Sequence, residues 1–415
     1  MTAHVLQTTN TQQTTSEKSG VQTAHTPYPH TLTFENFVKR HVPALKDAAR
    51  KGEPLPFPSR ARFMGTLKLH GYNATIVSKP SALAPIFRQN DTHNPTFQSR
   101  NRVVTSQDKG PIPSQLSNRP LHLLVEAAMR IYTSSASLPA DTPFSEVMIA
   151  GEVAGRDIYR NVAINRIPRF FCIFNIRIDG VWVDMRRYAD VCLPEERIFN
   201  IMNWKIWDVV IDFFEDTTAV SEWLYEITAE VEKKCPFAAS FADSAGKKIS
   251  GTGEGLVWTM IPFEGEDWPP NRTMLWNFKT KGERFEVVSR IKPTPPKDPD
   301  ALKLASVFID HAITEARFEQ GVEYLREMEL LEQGKGSTMQ FVKWIENDVI
   351  EEEWEKMVEI GAEEKKVRGV IGTRAREWFF RYLDEAQVRG SGNGYAAGKV
   401  GSDEETGRRL GPAST

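Results

Sequence analysis

The sequence predicts an α+β fold followed by a small helical domain, and three observations carry that reading. From about Phe57 to Val288 the chain is built of short apolar or alternating runs such as "ATIV", "EVMIAGEV", "FFCIFNIRIDGVWVD" and "GLVWTMIPF", broken by Gly, Pro and Asn. That is the pattern of strands joined by turns. The stretch "KPTPPKDPD", from Lys292 to Asp300, holds four prolines in nine residues, which removes backbone donors and forbids regular structure. From Ala301 to about residue 386 the apolar residues recur at three- and four-residue steps, as in "VFIDHAITEARFEQGVEYLREMELLEQ", the spacing of amphipathic helices.

In chain order, residues 1–30 read as a Thr/Gln-rich tail that opens on "MTAHVLQTTNTQQTTSEKSG". It has no apolar core of a signal peptide and too little hydrophobicity to order itself. Residues 31–291 form the α+β domain. Its antiparallel sheets are flanked by helices at "LHLLVEAAMRIYTSS" from Leu121 and "VSEWLYEITAEVEKKC" from Val220, the second capped by Ser221 or Thr217. Residues 292–300 are the proline linker, 301–388 the helical domain, and 389–415 a Gly/Ser-rich second tail. Within the helical domain "EEEWE" reads as a solvated helix face. "GKGST" at Gly334 lacks phosphate-loop spacing and reads as a turn.

Composition narrows the function. The formal net charge is −3, so the chain as a whole is not a basic nucleic-acid binder. The charge is uneven, however. Thr31–Arg130 carries fifteen Lys/Arg against six Asp/Glu, and Ala301–Gly390 carries thirteen against nineteen. A basic first half suits a polyanionic ligand. Three separated cysteines, Cys172, Cys192 and Cys235, make neither a zinc pair nor a disulfide framework and suit a reducing, intracellular setting. No apolar run is long enough to span a membrane. There is no dinucleotide fingerprint after a strand, no nucleophile elbow, and no metal spacing among the eight histidines.

What remains is a set of charged residues set into strand-like segments: Lys68 in "KLHGYN", Arg100 in "SRNR", Glu152 in "AGEVAG", Glu254 in "GEGLVW", and Lys279 with Lys281 in "WNFKTKG". A lysine at the end of an apolar run is costly to keep charged. Either its ammonium escapes to solvent, or the fold requires an amine whose pKa is pushed down. Taken in order, these segments resemble the covalent nucleotidyltransferase superfamily of ATP-dependent ligases and capping enzymes, and within it the RNA ligase 2-like group. "KLHGYNATI" is similar to that group's first motif, "SRNR" to motif Ia, "AGEVAG" to motif III, "FFCIFNI" to motif IIIa, "EGLVW" to motif IV and "NFKTKGERF" to motif V. "VEKKCPFA" also resembles a segment of bacterial and fungal members. The match covers roughly residues 60–285, with the motifs in order.

The resemblance implies an adenylyltransferase domain at 31–291 and an ATP-dependent RNA ligase, acting in RNA repair through a lysyl-AMP intermediate. Lys68 would be the nucleophile. Leu67, His70, Asn73, Arg100, Glu152, Phe171, Glu254, Lys279 and Lys281 would bind ATP or AMP, with Phe171 stacked on the base. Glu254 and Glu152 would hold Mg2+ or Mn2+ through water, since magnesium keeps most of its waters. On a strand, Lys279 and Lys281 share a face, where they could grip the phosphates. The partner would be RNA with 5′-phosphate and 3′-hydroxyl ends, and the enzyme a monomer. A DNA ligase, a capping guanylyltransferase and a non-catalytic RNA-binding module are the other readings. The basic stretch Lys365–Arg376 is the candidate RNA contact of the helical domain.

Overall fold

The computed structural model describes residues 25–79, 95–105, 107–139, 142–159, 161–266, 273–286 and 300–392, the side chains of the last segment through residue 386. The elements of the first part are β1 (Leu32–Thr33), α1 (Phe34–Lys51), β2 (Arg60–Lys68), β3 (Tyr72–Ser78), β4 (Thr96–Ser99), β5 (Val103–Val104), α2 (Pro111–Leu116), α3 (His122–Ser135), β6 (Val147–Ala154), β7 (Phe170–Ile178), β8 (Val181–Trp182), β9 (Ile198–Asn200), β10 (Trp207–Asp212), α4 (Thr218–Lys233), α5 (Pro236–Ala239), β11 (Gly255–Ile261) and β12 (Asn277–Lys281). The second part is helical: α6 (Ala301–Ala312), α7 (Glu315–Glu327), α8 (Thr338–Ile360) and α9 (Glu364–Gly392).

The strands make two sheets. One runs β1-β12-β11-β2-β10, and the other β5-β4-β3-β6-β7-β8 with β9 beside β7. The main neighbours are antiparallel; the short strands β1 and β9 pair in parallel. The strands β2, β3, β6, β7 and β12 are buried along nearly their whole length, on both faces, while the edge strand β10 keeps exposed positions. The aromatic residues Phe37, Phe57, Phe63, Phe213 and Phe278 meet in the first core. All five are almost fully buried, and each contributes roughly 1.5–3 kcal/mol by leaving water.

The buried apolar residues fall into two separate clusters. One runs from Leu32 to Phe285 and the other from Ala305 to Leu383. The expected proline linker lies outside the described residues except for Asp300, which caps α6 by accepting from the Leu302 and Lys303 amides. "GKGST" lies in the short 3-10 stretch Leu331–Ser337 between α7 and α8, with Thr338 opening α8.

Three local expectations differ from the structure. Residues 25–30, placed with the tail, lie against the second sheet: Gln98 Oε1 accepts from the Thr26 amide at 3.0 Å, and the Tyr28 hydroxyl accepts from Asn175 Nδ2 at 2.6 Å. The N-cap of α4 is Thr217, but its side chain makes no capping bond. Asp216 does that work by accepting from the Thr218 amide at 3.0 Å. The third difference is "EEEWE". Glu352 and Glu353 are buried, while Glu351 and Trp354 face water and Glu355 is half-exposed. The helix is broken at Glu353 (φ −116°, ψ 19°), and the two carboxylates turn toward the fully buried Arg317.

Candidate active site

The first sheet places its charged side chains in rows. Lys68 of β2 is opposite Gly255 of β11, and Gly255 is opposite Lys281 of β12. The next row is Thr66, Val257 and Lys279. Lys68, Lys281 and Lys279 therefore share one face, as residues two apart on a strand must. Thr280, between the two lysines, faces the other way. Its hydroxyl accepts from Thr228 at 2.6 Å and from the Trp258 indole at 3.1 Å, which ties β12 to α4 and fixes the direction of its neighbours. Gly255 stands between the ammonium groups with φ +154°, and a Cβ there would meet the Thr280 carbonyl at 2.1 Å.

The second sheet supplies a facing row: Asn73 of β3, Glu152 of β6 and Cys172 of β7. The chain passes from one sheet to the other through Leu69, His70 and Gly71. A Cβ at Gly71 would lie 2.3 Å from the Val153 carbonyl, so glycine is required there by the approach of β6. The two rows line a cavity of about 540 Å³, together with Leu67, His70, Arg100, Tyr28, His30 and Phe174. Its size suits a nucleotide-sized ligand. The helical layer covers it with Glu323, Tyr324, Trp344, Asp348, Glu351 and Glu352.

Glu254 is the hub. Its carboxylate lies 2.8 Å from Lys68 Nζ, 3.7 Å from Lys281 Nζ and 3.1 Å from His70 Nδ1. Burial alone would raise its pKa, but Lys68, then His70 and Lys281 outweigh burial and hold it well below the usual carboxylate range. Lys281 is pushed down to about 8, first by burial, against the pull of Glu254 and with the help of Lys279 and Lys68. Glu152 is pushed up to about 7, by burial first and partly offset by Lys68. For His70 burial acts downward, yet Glu254 and Glu323 together raise it. Its ring also packs on Tyr159 at 4.2 Å.

Nine of the ten residues expected from the sequence line this one cavity: Lys68, Leu67, His70, Asn73, Arg100, Glu152, Glu254, Lys279 and Lys281. Phe171 does not. It is fully buried and packs over Gly151, whose added Cβ would meet the Phe171 ring at 2.4 Å. The phenylalanine of β7 that lines the cavity is Phe174, held edge-on by Tyr28 at 5.2 Å. Alternation along β7 is the reason: Phe171 pairs with Val153 and lies on the face opposite the row of Glu152 and Cys172, whereas Phe174 is two residues on from Cys172 and shares its face. Gly151 pairs with Ile173 and Ala150 with Asn175, so a bulge follows that brings Asn175 to the cavity as well.

Sequence reasoning also missed Tyr28, His30, Tyr159, Glu323 and Glu352. Their segments carry no strand pattern interrupted by charge, which was the signal for the others. The basic stretch Lys365–Arg376 is partly neutralised within the helical layer. Arg368 pairs with Glu364 and Glu346, and Arg374 with Asp310. Among the described residues, no three His, Cys, Asp or Glu side chains converge as a metal-binding group. Nor is any helix among them long and apolar enough to cross a membrane.

No protein-family model matches the chain, and no curated protein matches it. Among solved structures the chain is similar to Naegleria gruberi RNA ligase. A lysine-to-methionine mutant of that enzyme with AMP and Mn is 13% identical, with 62% of this chain and 56% of that chain covered and a TM-score of 0.30. A lysine-to-alanine mutant with ATP and Mn is 12% identical with the same coverage and a TM-score of 0.31. The enzyme with PPi is 12% identical, covering 65% of this chain and 62% of that chain, with a TM-score of 0.31. The chain thus spans less than two thirds of the length of these structures.

Proposed function

We propose that the protein is an ATP-dependent RNA ligase of the RNA ligase 2-like group, working through AMP bound to Lys68. The observation that supports this best is the convergence of Lys68, Glu254, Lys279, Lys281, Glu152 and His70 on one cavity, although 213 positions separate Lys68 from Lys281 in the sequence (281 − 68). The residues suit the chemistry. Lys68 Nζ attacks the α-phosphate of ATP, the bond from that phosphorus to the β-phosphate oxygen breaks, pyrophosphate leaves and the amine gives up its proton. The AMP then passes to an RNA 5′-phosphate, and an RNA 3′-hydroxyl displaces it to form the phosphodiester.

Lys279 and Lys281 place positive charge where phosphate charge builds up, and fixed charge of this kind in a water-poor site is a large part of catalysis. Glu152 and Asn73 offer hydrogen-bond groups to the sugar, Arg100 to sugar or phosphate, and Phe174 an apolar face to the base. Glu254 and Glu152 also fit a divalent metal, because magnesium needs only one or two carboxylates and keeps its other waters. Such a metal would supply positive charge at the phosphates.

The test has two parts. Intact-mass measurement after incubation with ATP and magnesium is expected to show one AMP adduct, and its absence would sink the reading. Nicked duplexes that differ only in the 3′-terminal sugar are expected to seal when that sugar is ribose, since the 2′-hydroxyl is what tells RNA from DNA. Equal sealing of an all-DNA nick would favour a DNA ligase.

A further inference from the structure

One carboxylate in the cavity comes from the helical layer and is held by cations of both domains. Glu352 Oε1 lies 2.9 Å from His30 Nε2 and 3.4 Å from Lys279 Nζ, while its other oxygen accepts from Arg317 at 2.9 Å. Two nitrogens of the sheet domain thus meet on a single anionic oxygen. We infer that His30 and Lys279 form a phosphate-binding cradle, and that Glu352 occupies it in competition with the polyphosphate end of the nucleotide. This rests on the ligase reading above.

The positions of the partners carry the argument. His30 lies just ahead of β1, which runs parallel to β12 with Thr33 beside Lys279. Both cradle residues therefore belong to the same sheet edge, and neither needs the helical layer to be held there. The His30 side chain keeps 28% of its exposure, so it is within reach of a ligand. Lys279 shares its face with Lys281 and the row that ends at Lys68. A phosphate chain laid along that face from Lys68 would meet Lys279 and His30 in turn.

Glu352 is suited to leaving. Arg317 is fully buried within the helical layer and pairs with Asp348 and Glu353 as well as Glu352. The carboxylate would keep that partner if α8 moved away. Apart from the Glu352 carboxylate itself, α8 meets the sheet domain near this point through polar, partly exposed contacts: Asn36 Nδ2 donates to the Glu352 carbonyl at 3.0 Å, Arg40 donates to the Glu351 carbonyl at 3.1 Å, and Arg40 pairs with Glu355. Partly exposed polar contacts of this kind hold weakly. His30 and Lys279 would instead be left without this anion, and a polyphosphate supplies the charge and the acceptor oxygens they lose.

Calorimetric titration of the full chain with inorganic tripolyphosphate, and separately with AMP, tests the cradle. His30→Ala is expected to weaken tripolyphosphate binding roughly tenfold, the scale of one charge-assisted hydrogen bond, and to leave AMP binding unchanged. His30→Lys is expected to restore it. Glu352→Gln, which removes the competing charge, is expected to tighten tripolyphosphate binding. Wild-type tripolyphosphate affinity in His30→Ala, or an equal loss for both ligands, overturns the cradle. His30→Ala leaves Arg317 and its carboxylates intact, so this arm decides even if Glu352→Gln folds poorly. Failure of the ligase reading shows up separately, as the lack of an AMP adduct on the wild-type chain.

Discussion

The two sheets supply the cations of the cavity and the helical layer most of its carboxylates. The sheets bring Lys68, Lys279, Lys281 and Arg100 beside Glu152 and Glu254, and the helices bring Glu323, Glu327, Asp348, Glu351 and Glu352. The sequence shows this asymmetry as a basic first half and an acidic last third, which on composition alone looks like two solvated surfaces. In the fold the charges face each other across the nucleotide-sized space. The division of labour follows. The rigid strand rows fix where phosphate charge is met, and the helices neutralise that field when no phosphate is there.

The sharpest way to break this comparison is to remove the nucleophile from the sheet side. Lys68→Arg keeps the positive charge beside Glu254 but cannot attack, because a guanidinium stays protonated. The adduct is expected to vanish altogether by intact mass, and an AMP adduct that survives would place the nucleophile elsewhere. Glu254→Ala, Lys279→Ala and Lys281→Ala come next. Each is expected to slow adduct formation by about 10²–10³-fold, the usual cost of losing one fixed charge at a developing transition state, with circular dichroism unchanged. Wild-type adduct rates in all three would show that the cavity described here is not the reacting one.

The sheet half was legible and the helical half was not, for physical reasons. A lysine or glutamate in a strand interrupts an apolar alternation, so Lys68, Glu152, Glu254, Lys279 and Lys281 stand out against their own neighbours. Helices carry charge on most of their surface in any soluble protein. Glu352 in "EEEWE" therefore gave no sign that a kink at Glu353 would turn it inward onto Lys279 and Arg317. Phe171 was misread for a different reason: it was chosen by the resemblance of "FFCIFNI", a segment with three phenylalanines, and Phe174 is the one of them at the cavity. His30 and Tyr28 lie in "TPYPH", where the prolines suggest only an irregular segment, and tertiary contact alone brings them to the site.

Cutting the chain sharpens the comparison further. The cores on either side of the linker are separate, and the sheet residues of the cavity all precede Phe285. A chain ending at residue 291 is expected to keep forming the AMP adduct, since that step needs ATP and metal at the sheet face. It is expected to lose most of its sealing of 5′-phosphate RNA, because the RNA is then held by one domain only. Denaturing gels of labelled RNA beside intact mass separate the two steps. Sealing as good as that of the full chain would assign the helical layer another task, such as binding a protein.

The smallest expected effect concerns the carboxyl group that the second sheet contributes to the cavity. Glu152 is pushed up to about 7 from an ordinary 4.5, by burial more than by any neighbour. The folded protein therefore holds this proton more tightly than the unfolded chain does. The sign follows from that. The stabilisation tied to the proton is fully present below about pH 4.5 and is lost as pH rises through about 7. Glu152→Gln removes the titration while keeping a hydrogen-bonding side chain of similar shape. Relative to wild type, the variant is expected to gain on the order of 2 kcal/mol between pH 5.5 and pH 8, read as a diverging pair of urea-denaturation midpoints. If the two midpoints keep a constant spacing across that range, Glu152 is as well solvated as an ordinary surface glutamate. The second sheet's face of the cavity is then wetter than the row Asn73, Glu152 and Cys172 indicates.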